Sequence, residues 1–159
     1  MDLVDACIHG NVDEVKKLLL KGVNPSAYGN LAIRWAASNY HIKVVEILLQ
    51  DGRADPTIDN NQILTNTATY GDVKMLKLLL QDGRADPTVG NNYAIKHASF
   101  MGYTEIVSLL LQDGRVDPTD NNEWAIRYAK TPEIKDMLIA YKYRVGGKEY
   151  QKLKKEINI

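Results

Sequence analysis

Leu49-Gln50-Asp51-Gly52-Arg53-Ala54-Asp55-Pro56-Thr57 recurs unchanged at residues 80–88 and, with Val116 in place of alanine, at residues 111–119. The interval is 31 residues, and Pro25, Pro56, Pro87 and Pro118 keep the same interval. A fixed period of that length marks a repeat array, in which no unit can bury its apolar face alone and each stacks on its neighbours.

Working outward from that segment gives the content of one period. Residues 92–99, Asn92-Tyr93-Ala94-Ile95-Lys96-His97-Ala98-Ser99, read as a short helix followed by Gly102. A second helix then starts at Thr104, its expected N-cap, and carries Ile106, Val107, Leu109, Leu110 and Leu111. A helix apolar over so much of its circumference must be covered by its partner helix and by both neighbouring repeats. Gly114 suits a left-handed terminating position, and Asp117-Pro118 stops the helix and holds an extended backbone. The chain then turns at Asn121-Asn122, with Tyr28-Gly29, Asn60 and Gly90-Asn91 at equivalent places, residues that mostly tolerate positive φ. Each unit is therefore helix, turn, helix and a hairpin-like loop.

These residues resemble the ankyrin repeat family, whose unit is about 33 residues with a Thr-Pro-Leu-His-x-Ala opening to the first helix. The second helix and its stop fit closely: Gly71-Asp72-Val73-Lys74-Met75-Leu76-Lys77-Leu78-Leu79-Leu80, then Gly83 and Ala85-Asp86. The opening departs from the family pattern, because Leu31-Ala32-Ile33-Arg34, Gln62-Ile63-Leu64-Thr65, Tyr93-Ala94-Ile95-Lys96 and Trp124-Ala125-Ile126-Arg127 stand where Thr-Pro-Leu-His is usual. The shorter unit with Asp-Pro looks like the variant arrays of large DNA viruses and some simple eukaryotes, where the resemblance implies a host-interaction or adaptor role. The fold class expected is all-α: an ankyrin-repeat solenoid of about five stacked helix-turn-helix units with hairpin-like loops and atypical capping repeats.

The units expected are residues 1–24 as an N-terminal cap, then 25–55, 56–86, 87–117, and 118–141 as a C-terminal cap. In that last unit the interhelical loop is short, with Thr131-Pro132 as N-cap and first helical residue. Residues 142–159 fall outside the repeat and hold six Lys or Arg against two Glu, leaving 14 basic and 18 acidic residues in the body. Tyr150, Leu153 and Ile157 share one helical face of this tail, which is read either as a last helix covering the stack or as a basic docking arm.

Composition excludes several functions. With 20 Lys and Arg against 20 Asp and Glu there is no net positive field to hold a nucleic acid or an anionic membrane. The N-terminus Met1-Asp2-Leu3-Val4-Asp5 is acidic where a secretory signal is basic, and no apolar run approaches the ~18 residues of a membrane span. One cysteine, Cys7, permits no internal disulfide and fits a cytoplasmic or other reducing intracellular compartment. Cys7 aligns with Ala37, Ala68 and Ser99 and is read as a buried packing residue rather than a nucleophile. No P-loop, dinucleotide fingerprint or zinc-protease motif occurs, and His9, His41 and His97 lie in different repeats. No catalytic residue, cofactor or metal is expected.

Stacking at a fixed period places equivalent residues in columns, and the columns that vary are the candidates for recognition. The expected partner-binding residues are Tyr28, Trp35, Asn39, Asp59, Asn66, Tyr70, His97, Phe100, Met101, Asp120 and Tyr128. The resemblance implies that loop tips and first helices line a concave groove, and aromatics and Met are what a binding core tends to contain. Trp35 and Tyr128 are read equally well as packing residues; Tyr70, Phe100 and Met101, beside the interhelical turn, are expected to be exposed. A further column sets Asp51, Asp82 and Asp113 beside Arg53, Arg84 and Arg115, with Asp55, Asp86 and Asp117 behind, and is read as stiffening the loop.

The function expected is non-catalytic binding of a protein partner, by a chain more often monomeric than self-associating. Self-assembly is the alternative reading and an enzyme the remote one. Repeat three, residues 56–86, is the expected weak link, since Thr67 stands where other units have Ala and Gln62, Asn66 and Thr69 replace larger apolar groups. Native-state hydrogen exchange should open residues 56–86 no later than residues 87–117, and clearly slower exchange there refutes the assignment.

Overall fold

The computed structural model describes residues 1–145; the tail reading for residues 146–159, with Tyr150, Leu153 and Ile157, lies outside the described residues. Contacts divide the chain into two units, Met1–Asp86 and Pro87–Ile159. Among the described residues every regular element is helical.

The first unit holds α1 (Leu3–Ile8), α2 (Val12–Leu20), α3 (Ala27–Ser38), α4 (Ile42–Asp51), α5 (Ile58–Tyr70) and α6 (Val73–Asp82). Each odd-numbered helix packs on the even-numbered one that follows it. Two layers result, α1 against α3 against α5, and α2 against α4 against α6. Between the layers Ile33, Val44, Val45, Leu48, Leu64, Met75, Leu76 and Leu79 are all but fully buried. Each such side chain contributes about 1.5–3 kcal/mol by leaving water.

The second unit holds α7 (Val89–Met101), α8 (Thr104–Asp113), α9 (Asp120–Arg127) and α10 (Pro132–Val145). Helix α7 packs on α8 and α9, and α10 packs on α8 and α9. Ile95, Ile106, Val107, Leu110, Ile134 and Leu138 form its interior. Thr131 Oγ1 accepts the Ile134 N–H (3.2 Å), so the residue before the proline caps α10. Helix α9 ends early, and Lys130 fills the gap: its N–H donates to Ser99 O (3.0 Å) and its Nζ to Met101 O (3.2 Å) at the end of α7.

The loop expected to be hairpin-like takes another form. At four places three consecutive residues are left-handed: Tyr28-Gly29-Asn30, Asp59-Asn60-Asn61, Gly90-Asn91-Asn92 and Asn121-Asn122-Glu123, with φ between 52° and 64°. The chain reverses in one tight turn and enters the first helix with no strand pair. A left-handed residue bearing a Cβ costs roughly 1–2 kcal/mol, least for Asn and Asp, so the turn needs an anchor.

That anchor is the third residue of each turn. Asn30 Oδ1 accepts the Asp55 N–H, Asn61 Oδ1 the Asp86 N–H and Asn92 Oδ1 the Asp117 N–H, each at 2.8 Å. All three asparagines are buried. In the loops ending in Pro56 and Pro118 the same aspartate binds forward, Asp55 Oδ1 taking the Thr57 N–H and hydroxyl and Asp117 Oδ1 those of Thr119.

The Asp-Arg column forms within its loops, and Arg53 and Arg84 also reach the preceding helices, Arg53 donating to Leu19 O at 3.4 Å. Asp51, Asp82 and Asp113 each pair with the arginine two residues on, at 2.7, 2.8 and 2.7 Å. Arg84 also donates to Leu49 O (3.2 Å), Gly52 O (3.2 Å) and Ala54 O (2.8 Å), so it ties its repeat to the carbonyl end of α4. Thr104 corrects the reading of α8: it is the first helical residue and Tyr103 occupies the cap position. The Gly102 and Tyr103 amides both donate to Ala98 O, which closes α7 tightly, and α8 starts one residue earlier than a Thr104 cap implies.

Asn61 meets two demands, and substitution separates them. Asn61→Gly keeps the left-handed turn but orphans the Asp86 amide; Asn61→Ala loses both. Urea unfolding should show each variant destabilised by about 1–3 kcal/mol, with the alanine lower by about 1 kcal/mol.

Candidate partner-binding surfaces

The aromatic residues that the core does not use gather on the first-helix side of each unit. In the first unit α3 and α5 border a cavity of about 430 Å³ lined by Arg34, Trp35, Tyr40, Asn66, Tyr70 and Met75, among others. Trp35, Tyr40 and Tyr70 are 45%, 55% and 67% exposed, so large apolar surface faces solvent around a recess. Arg34 is held by an ion pair with Asp59 at 2.9 Å. Asp72 is spent on the N-terminus of α6, accepting the Met75 N–H at 3.0 Å.

In the second unit the surface is a run of rings. Tyr93, His97 and Phe100 lie at i, i+4 and i+7 on α7, and Trp124 and Tyr128 at i and i+4 on α9 and its C-cap, so each helix presents one aromatic face. Tyr93 stacks on His97 with centroids 5.5 Å apart, Phe100 lies 6.0 Å from Trp124, and Trp124 lies 4.9 Å from Tyr128. The rings border a cavity of about 160 Å³ lined by Tyr93, Lys96, His97, Phe100, Asn121 and Trp124. The Arg127 guanidinium lies 5.8 Å from the Tyr128 ring centre. His97 Nδ1 is buried without a hydrogen-bond partner.

Of the residues expected from the sequence, Trp35, Asn66 and Tyr70 come together around the first cavity and Asp59 reaches it through Arg34. Tyr28 is exposed but does not line it, and Asn39 is exposed with its amide donating to Trp35 O at 2.9 Å. His97 and Phe100 line the second cavity, and Tyr128 joins through Trp124. Met101 differs from its expected exposure: it is half-buried at the end of α7 and lines neither of these cavities. Asp120 is occupied structurally, accepting from Asn92 Nδ2 (2.9 Å) and the Asn121 N–H (2.7 Å). The Asn92 bond first, then the Asn121 amide and the nearby Lys96, hold its carboxyl below the usual range. Trp35 and Tyr128, each about half exposed, both pack and present a face.

Tyr40, Arg34, Tyr93, Lys96, Asn121 and Trp124 were not expected as site residues. For Tyr93 and Trp124 the missing signal was the helical i, i+4, i+7 spacing along one repeat, which comparison across repeats hides. For Tyr40 it was a broken column. Gly10, Gly71 and Gly102 hold the equivalent left-handed position, and Tyr40 sits there at φ 57°. A bulky residue so placed is strained, and strain of this kind collects at functional surfaces.

Residues 28–61 match the family model of the ankyrin repeat, a stretch that runs from one left-handed turn through the next. No curated protein matches the chain. No helix among the described residues is long and apolar enough to cross a membrane, and none of their His, Cys, Asp and Glu side chains group to hold a metal ion.

Cys7 is fully buried, and burial, with the nearby Asp2 carboxylate, pushes its thiol up to about 12. An unfolded thiol ionises near 8.5. The unfolded chain therefore loses this proton first, so the contribution to stability is complete below about pH 8.5 and shrinks as pH rises towards 12. The thiol should resist Ellman's reagent until denaturant is added, and Cys7→Ala should flatten the alkaline part of the stability profile. Rapid labelling of the native chain overturns the assignment.

Proposed function

We propose that this ankyrin-repeat chain is a non-catalytic binding module that engages a protein partner through the first-helix surfaces of its units. Ankyrin repeats are in general protein–protein interaction modules, which sets the class of function. The observation that carries the reading is the gathering of large exposed aromatic side chains around a recess in each unit, at positions where helix stacking requires none. Aromatic anchors beside pockets supply most of the binding energy in protein interfaces.

Tyr40 adds a second support in the first unit. A glycine there costs the stack nothing, as the equivalent turns use one, so the strained tyrosine is explained by what it presents to a partner. The module acts by occupancy, as an adaptor does, and needs no reacting group.

Affinity capture from the natural source should compare the intact chain with a Tyr40→Gly, Tyr70→Ala variant and a Phe100→Ala, Tyr128→Ala variant. Tyr40→Gly alone should raise stability by about 1 kcal/mol by relieving the left-handed strain. A partner protein captured by the intact chain and lost from one or both folded variants supports the reading; undiminished capture by both overturns it.

A further inference from the structure

Residues 34, 65, 96 and 127 form one column along the first helices: Arg34, Thr65, Lys96 and Arg127. In the first unit the loop-tip Asp59 neutralises Arg34 at 2.9 Å. The residue standing to Lys96 as Asp59 stands to Arg34 is Asn121, which has the same left-handed conformation (φ 52° at both positions) and no charge. Neither Lys96 nor Arg127 makes an ion pair among the described residues. Of the acids on this face, Glu123 pairs with Lys142, and Asp120 is held by Asn92 and Asn121; its carboxylate lies near Lys96 without forming an ion pair with it.

These two cations border the aromatic run, Lys96 on the cavity wall and Arg127 beside Tyr128. A cavity of about 160 Å³ matches the size that admits a single benzene-like group, about 150 Å³. It takes one side chain and not a row of stacked bases, and two cations are few for a phosphate backbone in a chain of zero net charge.

We propose that the second unit binds an acidic segment of a protein partner, seating one aromatic or branched aliphatic side chain among Tyr93, Phe100 and Trp124 and setting flanking carboxylates on Lys96 and Arg127. This rests on the protein-binding reading above and names the partner's chemistry at one of its two surfaces. The first unit, its arginine already neutralised, lacks this preference.

The test is selection of a random 12-residue peptide library on the intact chain, followed by fluorescence anisotropy of the enriched peptides and of a labelled oligothymidylate. Enriched peptides should carry one large apolar residue flanked by Asp or Glu and should quench Trp124 fluorescence in a Trp35→Phe background. Binding should weaken about tenfold in Lys96→Glu and severalfold in Asn121→Asp, which reinstates the internal pair at a turn position known to accept aspartate. It should also weaken with added salt. Peptides that bind without acidic residues, that bind only the first unit, or that are indifferent to both substitutions overturn this inference and leave the protein-binding reading standing. Tighter binding of the oligothymidylate than of any peptide overturns both, as does the absence of any enriched peptide.

Discussion

The constraint on which the repeat depends is a backbone N–H that has nowhere else to go. A residue before proline is held extended, so the Asp of each Asp-Pro cannot place its amide in a helical ladder, and beside a buried proline that amide needs a fixed acceptor. Asn30, Asn61 and Asn92 supply it from the turn that opens the same unit. Only asparagine meets both conditions at that site, an affordable left-handed backbone and a neutral carbonyl oxygen at the end of a short side chain. The fourth turn shows the converse. Where Glu123 stands in this column its side chain turns instead to Lys142 of the closing helix.

From this clamp the rest of the geometry follows by short steps. A turn fixed at its third residue aims the first helix. The glycine closing the second helix and the Asp-Arg pair that spans it return the chain to the next proline. Gly52 and Gly83 face no neighbour that a Cβ would strike, so glycine is used there for its left-handed backbone rather than for space. Thr67 shows how far the pattern tolerates a polar substitution. Its buried hydroxyl is satisfied by Ile63 O at 2.7 Å within its own helix, so a hydroxyl replaces the alanine methyl position without an orphaned group.

Because packing and clamp occupy particular columns, the remaining first-helix positions are free to differ between units, and they do. One unit surrounds its recess with Trp35, Tyr40 and Tyr70 and pairs its arginine with Asp59; the other lines a smaller recess with rings, beside two cations that form no ion pair among the described residues. The same backbone thus carries two surfaces of different chemistry, and the difference lies in single residues of a column rather than in any change of architecture.

The period, the helix pairs, the left-handed turns and the buried Cys7 were legible in the sequence, because each follows from local chemistry: proline and glycine restrict φ, and apolar stripes demand cover. The buried asparagine clamp was not, since its two partners lie 25 residues apart and meet only when the helix pair between them closes. The N-cap of α8 was misplaced by one residue for a local reason: with the Gly102 and Tyr103 amides both on Ala98 O, Tyr103 takes the cap position and α8 begins at Thr104. At the surfaces, Trp35, Tyr70, His97 and Phe100 could be named as varying residues in a conserved frame of repeats. Which side chains share a cavity, that Arg34 is neutralised while Lys96 is not, and that Tyr40 holds a strained backbone were decided by tertiary structure, because they depend on distances between helices that no single stretch of chain encodes.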